Sequence, residues 1–376
     1  MLRVAAVIPA KGGVTGASLA VAHIMLGLLS RFRGKVDVTL VTSPEALNYP
    51  VFRRLREKGA KFALFRLSGL PSSFYWFFLG VLLLSLLRHG QFHVCHFSTP
   101  KALFYLWPFA KIVSHKIILS LEGYPPYELS EARPLQRMIG ILAWRFSTEL
   151  ADHVAACSEW MRKVAVKDSG HAGKISTVHN PVDVERFAEA ASKSNGHFRL
   201  LVVARLHRVK GVDLALRALR NLLDRNTRGV MLTIVGDGPE RARLKKLARE
   251  LELDEYVRFE GLRYDVEDFV KQADLVLVPS RYEPFGMVAA EAGAAGKPVV
   301  ASKTGGLPEI VEDGVTGLLF ETENVVMLAE KISQLLKSEE DRKFVGLNAS
   351  KKIFARFSPE AAAEKMFRVY LYALRQ

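Results

Sequence analysis

The strongest constraint on this chain is a pattern that runs twice. Short apolar, β-branched runs fall at 3–8, 36–42, 61–66, 92–96, 116–121, 153–157 and 175–178, with helical stretches near 16–31, 45–58, 73–88, 101–112, 132–149 and 159–168 between them. Strands joined by helix-length connections pair in parallel, and the connecting helices cover the sheet. The pattern breaks at Asn180-Pro181-Val182-Asp183 and the polar stretch 190–197. It then restarts, with strands at 198–204, 230–235, 256–259, 274–278 and 298–301, helices at 210–224, 239–251, 265–272 and 285–295, and further helices to the end. The class is α/β, with two Rossmann-like, doubly wound domains expected at 1–185 and 186–358 facing a central cleft. The 376 residues suit two domains at roughly 100–200 residues each. Loops and helix N-termini gather at the carboxyl ends of such strands, so an anionic ligand is expected there.

Charge is distributed unevenly over that plan. The chain carries 53 Lys and Arg against 39 Asp and Glu, a net +14. Residues 1–121 hold 15 of the cations and only three acids, Asp37, Glu45 and Glu57, so the first third accounts for +12. The excess belongs to one domain and calls for an anionic partner: nucleic acid, anionic lipid or a phosphorylated substrate. Basic residues are not interleaved with exposed aromatics, and no RNA or DNA motif is present, so a nucleic-acid partner is not expected.

The N-terminus resembles a signal peptide only superficially. Its apolar part, Val4 to Ile8, ends at Pro9, which fits a buried first strand. The longest apolar run, Phe74 to Leu87, would reach roughly 21 Å as a helix, short of a ~30 Å hydrocarbon core. It fits either a core helix or a helix partly exposed to lipid. Arg53, Arg54, Arg56, Lys58 and Lys61 form a basic cluster near it, and Phe104 to Phe109 adds aromatics, so an anionic membrane surface is a further expected partner. Two cysteines, Cys95 and Cys157, make no disulfide scaffold, and the default location is cytoplasmic, with a peripheral seat at the inner face of the membrane as the alternative that the basic and apolar features open.

Three clusters carry chemistry. Lys11-Gly12-Gly13-Val14-Thr15-Gly16 follows the first strand and precedes a helix; it suits a phosphate and an ordinary tight turn alike. After the strand at 198–204, Arg205 and Lys210 stand five apart across a turn, a planar fork and a point charge for phosphate oxygens. Nearby, Gly236-Asp237-Gly238-Pro239-Glu240 makes a strand–turn–helix junction that lacks the third Gly of a dinucleotide fingerprint. The most informative cluster is Pro279-Ser-Arg-Tyr-Glu283-Pro-Phe-Gly-Met287 through Glu291, where a buried strand runs into a helix expected to start near Pro284 or Phe285. Free amides of Phe285, Gly286 and Met287 would face an anion or hydroxyls, and the paired carboxylates Glu283 and Glu291 suit hydrogen bonds to sugar diols as well as acid/base work. Ser302 to Glu309 forms another loop at the same sheet edge. His93 and His96 would point to opposite faces of a strand, and no metal cage is visible.

Arg205-x4-Lys210-Gly211, Gly236 to Glu240, Glu283-x7-Glu291 and Thr304-Gly-Gly-Leu-Pro-Glu309, in that order, resemble the retaining GT-B glycosyltransferases of glycosyltransferase family 4, group 1. The resemblance spans nearly the whole chain and is tightest from 200 to 320. It implies the GT-B fold, a nucleoside-diphosphate sugar as donor and a hydroxyl acceptor, possible lipid or lipid-linked glycan included. It implies no cofactor and no metal. By the resemblance, Arg205 and Lys210 would hold the donor diphosphate, Glu291 the ribose hydroxyls, and Glu283 the transferred sugar beside the amides of Phe285, Gly286 and Met287. Gly12 and Gly13 would approach donor phosphate or acceptor, Gly236 would lie at the donor site, and Leu262 would help frame the base through its backbone. A last helix, 359–376, would pack back on the first domain.

The chain departs from that family after the fifth strand. Where many relatives carry His, it reads Leu121-Glu122-Gly123. A Glu accepts a hydroxyl or steadies a cationic anomeric carbon, but cannot donate as imidazolium does. Glu122 is kept as a candidate on that footing. Competing functions are a sugar-nucleotide epimerase or hydrolase on the same fold, and a basic nucleic-acid-binding protein.

Overall fold

The computed structural model describes residues 1–9, 16–65, 72–125, 134–188 and 196–376. The chain divides into two compact units, Met1–Pro181 with Pro359–Gln376, and Val182–Ser358.

The first unit is built on a parallel sheet of β1 (Leu2–Ile8), β2 (Val36–Thr42), β3 (Lys61–Leu64), β4 (Phe92–Phe97), β5 (Ser114–Leu121), β6 (His153–Ala156) and β7 (Ile175–Thr177), in the order β3-β2-β1-β4-β5-β6-β7. Its helices are α1 (Gly16–Arg31), α2 (Pro50–Glu57), α3 (Ser72–Ser85), α4 (Pro100–Val113), α5 (Pro134–Leu150) and α6 (Glu159–Ser169). The central strands are buried on both faces, which is why they read as continuous apolar runs. Polar caps fix the helix starts: Thr99 Oγ1 accepts from the Ala102 amide at α4, and Ser158 Oγ from the Met161 amide at α6. The helix expected at 45–58 is split into a 3₁₀ turn, Pro44–Asn48, and α2, because Pro50 has no N–H and holds Tyr49 extended at φ −89°, ψ 136°.

Strand order fixes which face each helix covers. Right-handed crossovers β1-α1-β2-α2-β3 run toward one edge, and those through α3, α4 and α5 run toward the other. α1 and α2 therefore lie on one face, and α3, α4 and α5 pack side by side on the opposite one. The basic cluster of Arg53, Arg54 and Arg56 sits on α2, so it and the apolar run on α3 fall on opposite faces of the sheet. Part of that cluster is also engaged at home: Arg53 donates to the Asn48 carbonyl, and Lys61 pairs with Asp37 at 2.8 Å.

The second unit repeats the plan with β8 (Phe198–Val203), β9 (Val230–Val235), β10 (Val257–Gly261), β11 (Leu275–Val278), β12 (Val299–Ser302) and β13 (Leu318–Phe320), in the order β10-β9-β8-β11-β12-β13 and all parallel. Its helices are α7 (Val184–Phe187), α8 (Val212–Asp224), α9 (Arg241–Glu250), α10 (Val266–Gln272), α11 (Met287–Ala294), α12 (Leu307–Ile310), α13 (Val325–Lys337) and α14 (Glu339–Arg356). Three-residue β13 escaped the sequence reading because it is too short for periodicity to show.

The last helix, α15 (Pro359–Arg375), belongs to the first unit and lies along α1. Gly27 permits the approach, since a Cβ there would stand 2.1 Å from the Pro359 carbonyl oxygen. Phe32 and Phe367 stack at 4.1 Å between centroids. A buried polar chain pins α15 to the sheet: Tyr370 Oη lies 2.6 Å from His96 Nδ1, and His96 Nε2 lies 2.9 Å from Ser120 Oγ.

Burial pushes the His96 pKa down to about 3, so the folded imidazole stays neutral. The unfolded chain takes up a proton below about 6.5 that the folded chain refuses, so this contribution is complete above pH 6.5 and lost as pH falls toward 3. Acid denaturation should therefore draw on the order of 4 kcal/mol from this one site. Urea unfolding at pH 7.5 and pH 4.5 checks it: His96→Gln should narrow the gap between the two pH values, and an unchanged gap would exclude His96 as a source.

Candidate functional site

In each sheet the strand order reverses once, between β1 and β4 and between β8 and β11. Open α/β sheets bind ligands outside the carboxyl ends of the strands at such a reversal. In the second unit the two loops flanking it are those with the richest chemistry, 204–211 after β8 and 279–286 after β11.

The first loop is shaped by a short turn. His207 Nδ1 accepts from the Val209 amide and opens a 3₁₀ turn, Arg208–Lys210, which Gly211 closes at φ +63° before α8 begins at Val212. A Cβ on Gly211 would fall 1.9 Å from the Pro279 carbonyl oxygen, so only glycine lets this loop press against the next. The result is an ion pair across the reversal: Lys210 Nζ lies 2.8 Å from Glu283 Oε2, which also accepts from Ser280 Oγ at 3.2 Å. Arg205 stands on the same loop, exposed, and its guanidinium makes no hydrogen bond or ion pair among the described residues. Lys210, Glu283 and Arg205, named from the sequence, thus share one place.

Arg281 was not singled out by sequence, yet it holds the loops in register. Its guanidinium binds both carboxylate oxygens of Asp213 at 2.7 and 2.9 Å, reaches the Arg208 carbonyl at 2.9 Å, and pairs with Glu323. Its amide donates to the Val209 carbonyl. The acidic partners push the Arg281 pKa well up; burial alone would raise that of Asp213, but the hydrogen bonds and charge of Arg281 outweigh it and hold Asp213 down. The interactions join residues far apart in sequence, and no spacing signals them.

The helix after Glu283 begins later than the sequence suggested. Gly286, at φ +112°, is the N-cap and α11 starts at Met287. The first-turn amides of α11 have no carbonyl one turn back, so they remain suited to an anion or hydroxyls. Phe285 is buried edge-on against Phe357, 5.7 Å between centroids, so its ring serves packing and only its backbone faces the loop. Gly305 and Gly306 support this turn from behind: the Gly306 amide donates to the Glu283 carbonyl at 2.9 Å, and a Cβ on Gly305 would sit 1.9 Å from that same oxygen.

Gly236 plays a similar part. At φ +133° its Cβ would meet the Ala204 carbonyl oxygen at 1.9 Å, and its amide donates to the Gly261 carbonyl at 2.7 Å. Gly236 brings the loop after β9 against the Arg205 loop, with its own N–H already used. Leu262 follows Gly261 and is 65% exposed. Helix α9 begins at Arg241 rather than near Pro239.

Glu291 lies one turn into α11, partly exposed, beside the pair formed by Arg186 on α7 and Glu267 on α10. The protein surrounding its carboxyl pushes its pKa up to about 7, with Glu267 adding to the rise and Arg186 opposing it. Between about 4.5 and 7 the folded state keeps a proton the unfolded state releases, so this site's contribution to stability falls as pH rises through that window. Glu291→Gln should therefore gain stability over the wild type at pH 8 relative to pH 5, by on the order of 3 kcal/mol. Denaturant curves of both proteins at the two pH values measure it, and a pH-independent difference would count against the shift.

In the first unit, Glu122 follows β5 and is half-buried, and Asn180 Nδ2 donates to Glu122 Oε2. Asn180 is almost wholly buried and its Oδ1 has no partner among the described residues. Gly12 and Gly13 lie outside the described residues. Among the described residues no three or more His, Cys, Asp or Glu side chains come together as metal ligands would.

Comparison with known proteins bears on this site. The family model for glycosyl transferases group 1 matches residues 183–352, and the model for glycosyltransferase family 4 matches residues 16–186. An uncharacterized glycosyltransferase of Methanocaldococcus jannaschii is 31% identical over 255 residues, covering 67% of this chain and 67% of that protein. The N-acetyl-alpha-D-glucosaminyl L-malate synthase of Bacillus anthracis is 28% identical over 268 residues, covering 69% of this chain and 68% of that one. Across curated relatives such as these, the match spans from 41% to 68% of their length. Among solved structures, Anabaena HepE in complex with UDP and glucose superposes with a TM-score of 0.79 at 22% identity, over 98% of this chain and 99% of that chain.

Proposed function

The chain belongs to the group 1 glycosyltransferases, and from that premise we propose that it moves a sugar from a nucleoside-diphosphate sugar to a hydroxyl acceptor with retention of anomeric configuration. The observation that carries this reading is the Lys210–Glu283 pair at the β8/β11 reversal, with the uncommitted guanidinium of Arg205 on the same loop. A leaving diphosphate gains negative charge as its bond to the sugar breaks, and cations already in place stabilise that change most. Arg205 and Lys210 hold the diphosphate without need of a divalent ion. Glu283 meets the transferred sugar and Glu291 the ribose hydroxyls. Glu283 is engaged by Lys210 rather than acting as a nucleophile, and displacement takes place on the face the diphosphate leaves. HepE, crystallised with UDP and glucose, supports a donor of this kind.

The acceptor bears negative charge or is presented on a negatively charged surface, as a lipid or a glycan. The +12 carried by residues 1–121 supports this. Glu122, held by Asn180, takes the place beside the acceptor that the family gives to His.

A thermal-shift panel of UDP-, GDP- and ADP-sugars tests the donor. A ligand present at about 100 times its Kd adds about 2.7 kcal/mol to stability, so one of the three should raise the melting temperature by several degrees. No shift with any of them would overturn the reading. Labelled donor with and without lipid extract then separates transfer, whose product needs the acceptor, from hydrolysis or epimerisation, whose product does not.

A further inference from the structure

α3 is apolar on all sides, with no charged residue from Ser72 to Ser85. A helix of that kind is expected to be enclosed. Here it is not: Phe77 is 57% exposed, and Phe78 and Val81 also face out. The exposure continues over its neighbours on the same face of the sheet. On α4, Tyr105 and Ile112 are exposed; on α5, Leu135, Met138, Ile139, Leu142 and Phe146 follow one another at helical spacing, with Leu135 at 63% and Phe146 at 52%. Ring contacts make this one surface. Trp76 on α3 stacks on Tyr105 of α4 at 5.2 Å, Tyr105 meets Phe104, and Phe104 meets Phe146 of α5 at 6.2 Å.

Among the described residues of α3, α4 and α5, every charge before Glu149 is positive. Residues 58–121 contain no Asp or Glu, and none occurs on α5 before Glu149, which is tied to His171. Lys101 lies on the exposed stripe of α4 with Tyr105, and Arg137 and Arg145 stand among the exposed apolar residues of α5. We propose that the face formed by α3, α4 and α5 docks on an anionic lipid bilayer, the apolar side chains entering the boundary between headgroups and acyl chains and Lys101, Arg137 and Arg145 meeting lipid phosphates.

The charge pattern favours lipid over a second copy of the chain. An isologous interface would set Arg137 and Arg145 against a partner face equally rich in cations and equally poor in acids. The seating is interfacial, because no helix among the described residues is long and apolar enough to cross a membrane. The cations that serve it are those of α4 and α5. The cluster on α2 lies on the other face of the sheet and takes no part. This inference deepens the lipid alternative for the acceptor, but its test uses no transfer reaction, so either can fail alone.

The test is flotation of the whole chain with vesicles of neutral phosphatidylcholine, and of phosphatidylcholine with one-third phosphatidylglycerol. Binding should be at least tenfold tighter to the anionic vesicles and should weaken at 1 M salt, where screening shortens to about 3 Å. Each cation near the surface is worth roughly a factor of five, so joint replacement of Lys101, Arg137 and Arg145 by Gln should weaken anionic binding about a hundredfold. Phe77→Asp with Phe146→Asp should abolish it, while Phe344→Asp, on the exposed side of α14, and joint Arg53→Gln, Arg54→Gln and Arg56→Gln should leave it unchanged. The donor-induced thermal shift, or failing that the melting temperature, serves as the check on folding. Negligible binding to both vesicle types would overturn the proposal. So would a concentration-dependent dimer in sedimentation equilibrium that the Phe77 and Phe146 substitutions dissolve.

Discussion

Lys210→Ala should lower turnover at least about a hundredfold, about 3 kcal/mol of transition-state stabilisation, while leaving a folded protein. The lysine is not buried in a core; it reaches across the β8/β11 reversal to Glu283 at 2.8 Å. On the proposed reading, a bound diphosphate would compete with Glu283 for the ammonium. Removing the lysine takes away a charge the transition state needs more than the ground state does, so kcat should fall more than donor affinity. Arg205→Ala should act in the same direction with even less effect on stability, since its guanidinium has no partner among the described residues. Arg205→Lys should recover only part of the loss, because a point charge does not reproduce the planar fork. Product release measured alongside melting temperature separates these effects from unfolding. Near wild-type rates in Lys210→Ala would remove the proposed role.

Gly305→Ala should be among the most damaging single-methyl changes in the second unit. The residue sits at φ +55°, and its new Cβ would stand 1.9 Å from the Glu283 carbonyl oxygen, a backbone atom that cannot swing aside. Left-handed strain and the clash together should cost about 3–5 kcal/mol, or force Glu283 away from Lys210. Either outcome lowers donor binding, and they can be told apart. A fall in melting temperature marks the first, and lost donor affinity at unchanged stability marks the second. Gly314→Ala, also at positive φ but with open space around its Cβ, should cost only about 1 kcal/mol. Equal effects at the two glycines would mean that close packing of loop against loop has no special weight.

Much of the fold was legible because parallel strands buried on both faces leave continuous apolar runs. The restart of that pattern after 197 marks the second sheet. The candidate site was legible as residue types on the loops after two strands, Arg205, Lys210 and Glu283, because strand ends are where a doubly wound sheet gathers its loops; Glu291 lies apart from them, inside α11 beside Arg186 and Glu267. Sequence could not show that Lys210 and Glu283, 73 residues apart, form a pair, or that Arg281 ties Asp213 and Glu323 beneath them. The resemblance puts Gly236 at the donor site; what the structure adds is that its missing side chain lets the loop after β9 lie against the Arg205 loop. The apolar run at 74–87 carried no helical periodicity from which to choose a covered side, so its exposed aromatic face emerged only once α4 and α5 were in place beside it.

The central claim is that the 204–211 and 279–286 loops hold a nucleoside diphosphate through Lys210. Calorimetric titration of UDP, GDP and ADP into the wild type and into Lys210→Ala tests it without knowledge of the acceptor. The expected result is saturable binding of one of these nucleotides by the wild type and at least tenfold weaker binding by the variant, whose melting temperature is unchanged. Equal affinity in the two proteins, or no binding of any of the three nucleotides to the wild type, would contradict the account.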